Sequence, residues 1–219
     1  MKKSITLLDR GVLTDLQMFL QRAKRLDPVG MVRLRAFGDV LAAYVAPIFA
    51  GSLMDGGPTV LGLRTAELAE KVEVDVIAPI SSVLDRIALL AADTKSNLVL
   101  ELPESGRAAW AGISPPRTGW VEIGTINESE LTAIAKDGIA AVAAALPESV
   151  GGPIAARVRG EIWGRGINLE SGVPTGAAFA AAGLGFLTQN EEVGVFRAEG
   201  WVRLSSLNGH VLARAATHL

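Results

Sequence analysis

The chain contains no cysteine and two histidines, His210 and His218. A serine nucleophile of the triad type needs a histidine to take its proton. His218 is the penultimate residue, where chains fray. His210 follows Asn208-Gly209 and reads as a surface residue at a strand end. No serine stands in a Gly-x-Ser-x-Gly elbow. Without cysteine there is no thiolate to act as nucleophile or metal ligand. Two histidines are too few for a histidine-rich zinc site. The sequence therefore predicts no catalytic residue, no metal and no cofactor.

Carboxylates are plentiful, but none forms a suggestive pair. Glu191 and Glu192 are adjacent, so in a strand they point apart, and a solvated turn is expected. Asp9, Asp15 and Asp27 read as helix-end or solvent-face residues. Glu161 lies four residues after Arg157, the spacing of a surface ion pair on a helix. Gly164-Arg-Gly166 and Gly183-Leu-Gly185 each begin a Gly-x-Gly, but Leu169 and Thr188 occupy the sixth position. Neither follows an expected strand, so a dinucleotide site is unsupported.

The segment Trp110-Ala-Gly-Ile-Ser-Pro-Pro-Arg-Thr-Gly-Trp120 is the most unusual. Pro115 and Pro116 stiffen the backbone into an extended form. They would present Arg117 near two tryptophan rings able to stack on its guanidinium. One reading is a loop that binds a small anion through Arg117, Trp110 and Trp120. The other is a clasp, with the tryptophans packed into two cores and Arg117 paired to an acidic side chain. The connection from Pro47 to Pro58 carries Ile48, Phe49, Leu53 and Met54 among glycines. These side chains either fold back or form the contact of a homodimer.

The elements that position these residues follow from periodicity. Leu13, Leu16, Phe19 and Leu20 predict a helix over Val12 to Arg25. Val32, Leu34 and Ala36 alternate with Arg33 and Arg35 as a half-buried strand. A tight turn is expected at Phe37-Gly38-Asp39, then an inner strand from Val40 to Ala46. Val60–Leu63 and Val72–Val76 predict two more strands. Arg33 and Arg35 would face Glu73 and Asp75 if those strands are neighbours. A helix follows Pro79, with Ser82 and Asp85 in capping-box spacing. Asn97 to Leu102 could add a strand. Asn127 caps a helix running to about Leu146. Pro153 suits the start of the next helix, and Pro174 opens a third, Thr175 to Leu187. Three strands then form a meander, turning at Glu199-Gly200 and at Asn208-Gly209. Asn-Gly is the stronger signal, because both central residues of a type I′ turn need positive φ.

The expected class is α+β. Residues 1–120 form an N-terminal antiparallel sheet with two helices. Residues 121–219 form a three-helix unit followed by a three-stranded β-meander, an order like that of a winged helix. The boundary falls where Pro, Gly, Ser and Trp replace periodicity.

The Trp110–Trp120 segment, with Arg25-Leu-Asp-Pro28, Val60-Leu-Gly-Leu-Arg64, Gly176-Ala-Ala-Phe-Ala180, Leu184-Gly-Phe-Leu187 and Trp201-Val-Arg-Leu-Ser205, resembles a family of uncharacterised actinobacterial proteins. The resemblance covers most of the chain in two consecutive parts. It implies a bacterial cytoplasmic origin and carries no activity, so it assigns no site residues.

Hydrophobic residues make up 49% of the chain, too many for a disordered protein. Net charge is −2 and aromatics are 5%, which argues against a cationic nucleic-acid surface or a stacking platform. Ser171 to Asn190 is uncharged, but its glycines, Pro174 and polar end fit a buried helix better than a membrane span. The expectation is a non-catalytic cytoplasmic binding or regulatory protein acting as a homodimer, without membrane or nucleic acid. One alternative is an enzyme acting on a small anionic substrate through Arg117 and carboxylates at the domain junction. The other is a winged-helix DNA-binding protein, although its recognition helix would carry no basic residue.

Overall fold

A computed structural model describes residues 3–50, 57–93, 97–112, 114–146, 151–168 and 171–215. The fold is mixed α+β with antiparallel pairing, and it divides into two compact units. One comprises Met1–Val45 and Leu63–Gly112; the other comprises Ala46–Gly62 and Ile113–Leu219.

The first unit begins with β1 (Ser4–Thr6) and α1 (Arg10–Leu26). Asp9 caps α1 by accepting the Val12 N–H at 2.8 Å, and Lys24 and Arg25 occupy the last turn, where the helix dipole favours cations. Leu13, Leu16, Phe19, Leu20 and Ala23 form its buried stripe. Two long strands follow, β2 (Met31–Ile48) and β3 (Thr59–Pro79). The expected tight turn at Phe37-Gly38-Asp39 does not form; β2 runs straight through it. Val32, Leu34 and Ala36 are buried before this point and Leu41, Ala43 and Val45 after it. The buried parity switches from even to odd, so one extra residue must be absorbed between them. Gly38, at φ +65°, is where the backbone can do this. The two strands expected at Val60–Leu63 and Val72–Val76 are likewise one. Arg64 to Lys71 contains no proline or glycine, and its Leu68 is buried against a bridge to Leu7.

Helix α2 (Ile80–Ala92) starts directly after Pro79, which places Ser82 inside the helix. The capping box expected from Ser82 and Asp85 therefore does not form; the Ile80 N–H donates to Gly30 O instead, at 3.0 Å. Strand β4 (Val99–Glu101) pairs antiparallel with β1, setting buried Ile5 opposite Leu100. Arg33 grips Asp75 with Nε–Oδ1 at 2.8 Å and Nη2–Oδ2 at 2.6 Å, as the charge alternation suggested, and gives its Nη1 to Ala111 O. Arg64 holds Asp15 of α1 in the same forked manner.

The second unit contains β5 (Val121–Asn127), α3 (Glu128–Ala145), α4 (Gly152–Trp163), α5 (Thr175–Gly183), β6 (Glu192–Ala198), β7 (Trp201–Ser206) and β8 (Gly209–Arg214). The sheet order is β2-β3-β8-β7-β6-β5. The expected meander β6–β8 is thus interior to a six-stranded sheet, and β5, hidden in an aperiodic stretch, is its outer strand. Asn127 caps α3 as expected, accepting the Ser129 N–H at 3.0 Å. Helix α5 stops at Gly183, four residues before the expected end. Gly185, at φ +69°, lets Phe186 N–H reach Ala181 O and Gly185 N–H reach Ala182 O, a Schellman closure.

Both hairpin turns form, but the type I′ geometry lies at the other one. Glu199 and Gly200 have φ of 44° and 77° between paired Ala198 and Trp201. At the second turn Ser206 pairs with Gly209, so Leu207 and Asn208 are central and neither has positive φ. Gly209 is needed for space: a Cβ there would lie 2.6 Å from the Phe186 ring.

Trp163 organises the helices. It is 6% exposed, stacks on Phe179 of α5 with centroids 4.6 Å apart, and presses on Gly138 of α3. A Cβ on Gly138 would lie 2.8 Å from Trp163 Cη2 and closer still to Cζ3. Ile48 and Trp163 crowd Gly176 in the same way.

Gly138→Ala should destabilise the protein. The added methyl gains about 1 kcal/mol of helix propensity, but overpacking a rigid ring costs about 1–3 kcal/mol. A lower urea midpoint is expected; an unchanged or higher one would show that Trp163 moves aside freely.

The Arg33 hydrogen bonds hold the Asp75 carboxyl below its usual range, against an opposing desolvation cost, with Arg33, Arg35 and Lys3 adding attraction. A depressed folded pKa adds stability that is present above the unfolded value and lost as pH falls through the folded one. Asp75→Asn should therefore lower stability at neutral pH by at most about 1 kcal/mol, as for an exposed pair. The difference from wild type should close below about pH 4. Urea titrations across acid pH measure this; a pH-independent difference would contradict it.

Candidate functional site

Strands β6 and β7 bury Val193, Val195, Val202 and Leu204 on one face of the sheet. By alternation Phe196, Arg203 and Ser205 lie on the other. Phe196 is the register partner of Arg203 on β6, and His210 on β8 is the partner of Ser205. Trp120, just ahead of β5, is the further member. Its Nε1–H donates to Pro116 O at 3.1 Å, so the diproline segment sets the ring.

The cation on this ring is Arg203. Its guanidinium carbon lies 4.6 Å from the Trp120 ring centroid and 4.5 Å from that of Phe196. Two π faces stabilise the charge, yet the group is half-buried and desolvation pushes its pKa down. Arg203 Nε is buried with no hydrogen-bond partner. No carboxylate among the described residues pairs with it. An unsatisfied buried donor costs about 1–3 kcal/mol. Beside it, His210 Nδ1 and Ser205 Oγ are 3.0 Å apart.

The residues expected from sequence are placed as follows. Trp110 is buried in a short 3-10 turn, Ala109–Gly112, within the first unit. Trp120 belongs to the second unit and is half-buried, while Arg117 is exposed. Ile48 folds onto Gly176, and Phe49 is half-buried. Leu53, Met54 and His218 lie outside the described residues. Sequence reasoning missed Arg203, although Val202 and Leu204 flank it as buried residues and so place Arg203 with Ser205 on the opposite face.

The carboxylates are structural where the geometry describes them. Glu191 was expected in a solvated turn; instead it accepts Leu207 N–H at 2.6 Å and Thr188 N–H at 3.2 Å, tying two loops together. Glu192 accepts from Asn127 Nδ2. Glu161 and Arg157 form the expected exposed pair at 3.0 Å. Among the described residues no group of three His, Asp or Glu could hold a metal ion. No helix among them is long and apolar enough to cross a membrane.

Comparison with family models matches residues 1–112 to the domain of unknown function DUF8010 and residues 115–218 to the domain of unknown function DUF8185. The first match spans more than half of the chain. The chain belongs to the DUF8010 family. No curated protein matches this member of the family. Among solved structures, it is similar to a beta sliding clamp of Caulobacter crescentus, with TM-score 0.51 and 14% identity over 99% of this chain and 65% of the clamp chain. A second C. crescentus structure, described as pol III beta, gives 0.49 and 13% over 99% and 66%. A Pseudomonas aeruginosa sliding clamp bound to griselimycin gives 0.47 and 13% over 100% and 66%. The DUF8010 chain therefore spans just under two thirds of the clamp chains it matches. At these identities the likeness is one of fold.

Trp120→Ala should remove one of the two rings from Arg203 and cost about 0.5–2 kcal/mol, with Trp120→Phe recovering part of it. Circular dichroism during urea unfolding measures both. Equal stability of all three proteins would show that the stacking contributes nothing.

Proposed function

We propose that the protein is a non-catalytic, cytoplasmic binding protein that acts as a homodimer on a clamp-like framework. The observation that carries this reading is the fold likeness to the C. crescentus clamp at TM-score 0.51, which extends over 99% of the chain. Supporting it, Glu191, Glu192 and Glu161 serve loop, cap and helix contacts, and Glu70 and Glu128 accept from threonine hydroxyls. Self-association is supported by β5, an outer strand whose Val121 and Ile123 are 64% and 41% exposed. An exposed strand edge with apolar side chains is a template for another strand, and a twofold axis would pair β5 with its own copy.

A second reading has a specific observation behind it. The similar structures include ones described as DNA polymerase sliding clamps, so duplex DNA is the partner to test against. The net charge of −2 supports the protein-binding reading over this one.

Light scattering after size exclusion should give twice the 22.9 kDa chain mass. Val121→Glu should shift the protein to monomer without loss of fold. A wild-type monomer at high micromolar concentration would overturn the dimer. Retention on nonspecific duplex DNA that weakens with added salt would favour the second reading.

A further inference from the structure

The sheet face that holds Arg203, next to the buried Leu212 and Trp201, carries a cation without a counter-charge among the described residues. Arg203 could meet its cost in three ways: a carboxylate from the chain, bulk water, or a ligand. The first is absent among the described residues. The second is restricted, because Nε is buried and the group is half-buried between strands. Glu122 is the register partner of Phe196 on β5, one strand further away, and it makes no ion pair with Arg203.

The two rings decide what kind of ligand fits. Phe196 and Trp120 lie over the guanidinium and Nε is buried, so its open hydrogen-bonding positions are the Nη N–H groups in its plane. An in-plane fork of donors matches the paired oxygens of a carboxylate or phosphoryl group. The ring contacts also hold the side chain in one orientation, which lowers the entropic cost of binding. Trp120 is itself fixed through Pro116, so the stiff Pro115-Pro116 segment serves to orient the site. Ser205 is two residues along the same strand face, and His210 lies opposite it. They add hydroxyl and imidazole groups beside the fork.

We propose that Arg203, oriented by Trp120 and Phe196 and flanked by Ser205 and His210, binds an oxyanion, a carboxylate or phosphoryl group. This does not require the dimer. It also differs from the Arg117 loop read from sequence: the same tryptophan is used, but the fork comes from the sheet.

The test is a titration of the Arg203 Nε–H resonance in the wild-type full chain, identified by its absence in Arg203→Lys. Inorganic phosphate, acetate and chloride are added at matched ionic strength. A saturable shift with phosphate or acetate, and none with chloride, is expected; the anion that saturates first identifies the source. Arg203→Lys should weaken phosphate or acetate binding about tenfold, because the ammonium keeps the charge and loses the fork. Arg203→Gln should abolish it. No saturable shift with either oxyanion, or the same response to chloride, would overturn the proposal. So would undiminished binding by folded Arg203→Gln. If the variants fail to fold, the resonance is assigned by through-bond experiments and the wild-type titration decides alone.

Discussion

Trp163 is the constraint on which the second unit depends. Its ring fills the space where three helices converge, with Gly138 beneath it, Phe179 stacked on it and Gly176 against its backbone and Cβ. Only residues without a Cβ fit at 138 and 176. A large aromatic and two glycines therefore act as one piece, and the small residues of α5 follow from it. Ala177, Ala178, Ala180 and Ala181 are all buried, because a helix held this closely has no room for longer side chains.

That packing commits the inner face of the sheet to the core, while the opposite face sets polar side chains beside the buried Trp201 and Leu212. Val193, Val195, Val202, Leu204 and Val211 are turned inward. Arg203, Ser205 and His210 are the alternating residues on the opposite face. Three carboxylates hold the frame: Asp15 on Arg64, Asp75 on Arg33, Glu191 on two loops. What distinguishes Arg203 from Arg33 and Arg64 is that the latter have their carboxylates and Arg203 has rings instead.

Much of this was legible in the sequence because it is local. The stripe of α1, the Asn127 cap, the proline starts of α4 and α5 and the β6–β8 meander depend on neighbours a few residues apart. The misreadings have physical causes. Gly38 signals a turn, but a positive φ also accommodates an extra residue in a strand, and only the parity of Val32–Ala36 against Leu41–Val45 reveals which. Asn208-Gly209 signals a type I′ turn, but Gly209 is there to admit Phe186, and Glu199-Gly200 takes that geometry. Strand β5 escaped because an outer strand with exposed Val121 to Thr125 has no alternation to read. The Arg203 cluster escaped because its aromatic partner Trp120 is far away in sequence. The chain pairs the tryptophan of an unusual motif with an arginine that looks ordinary.

The uncompensated guanidinium of Arg203 makes its face of the sheet a binding surface for an oxyanion. Diffraction from crystals soaked in tungstate tests it most directly. An anomalous peak is expected within hydrogen-bonding distance of the Arg203 Nη atoms, with Trp120 and Phe196 against the guanidinium. A protein carboxylate bonded to Arg203, with no peak beside it, would show instead that the guanidinium is paired within the chain.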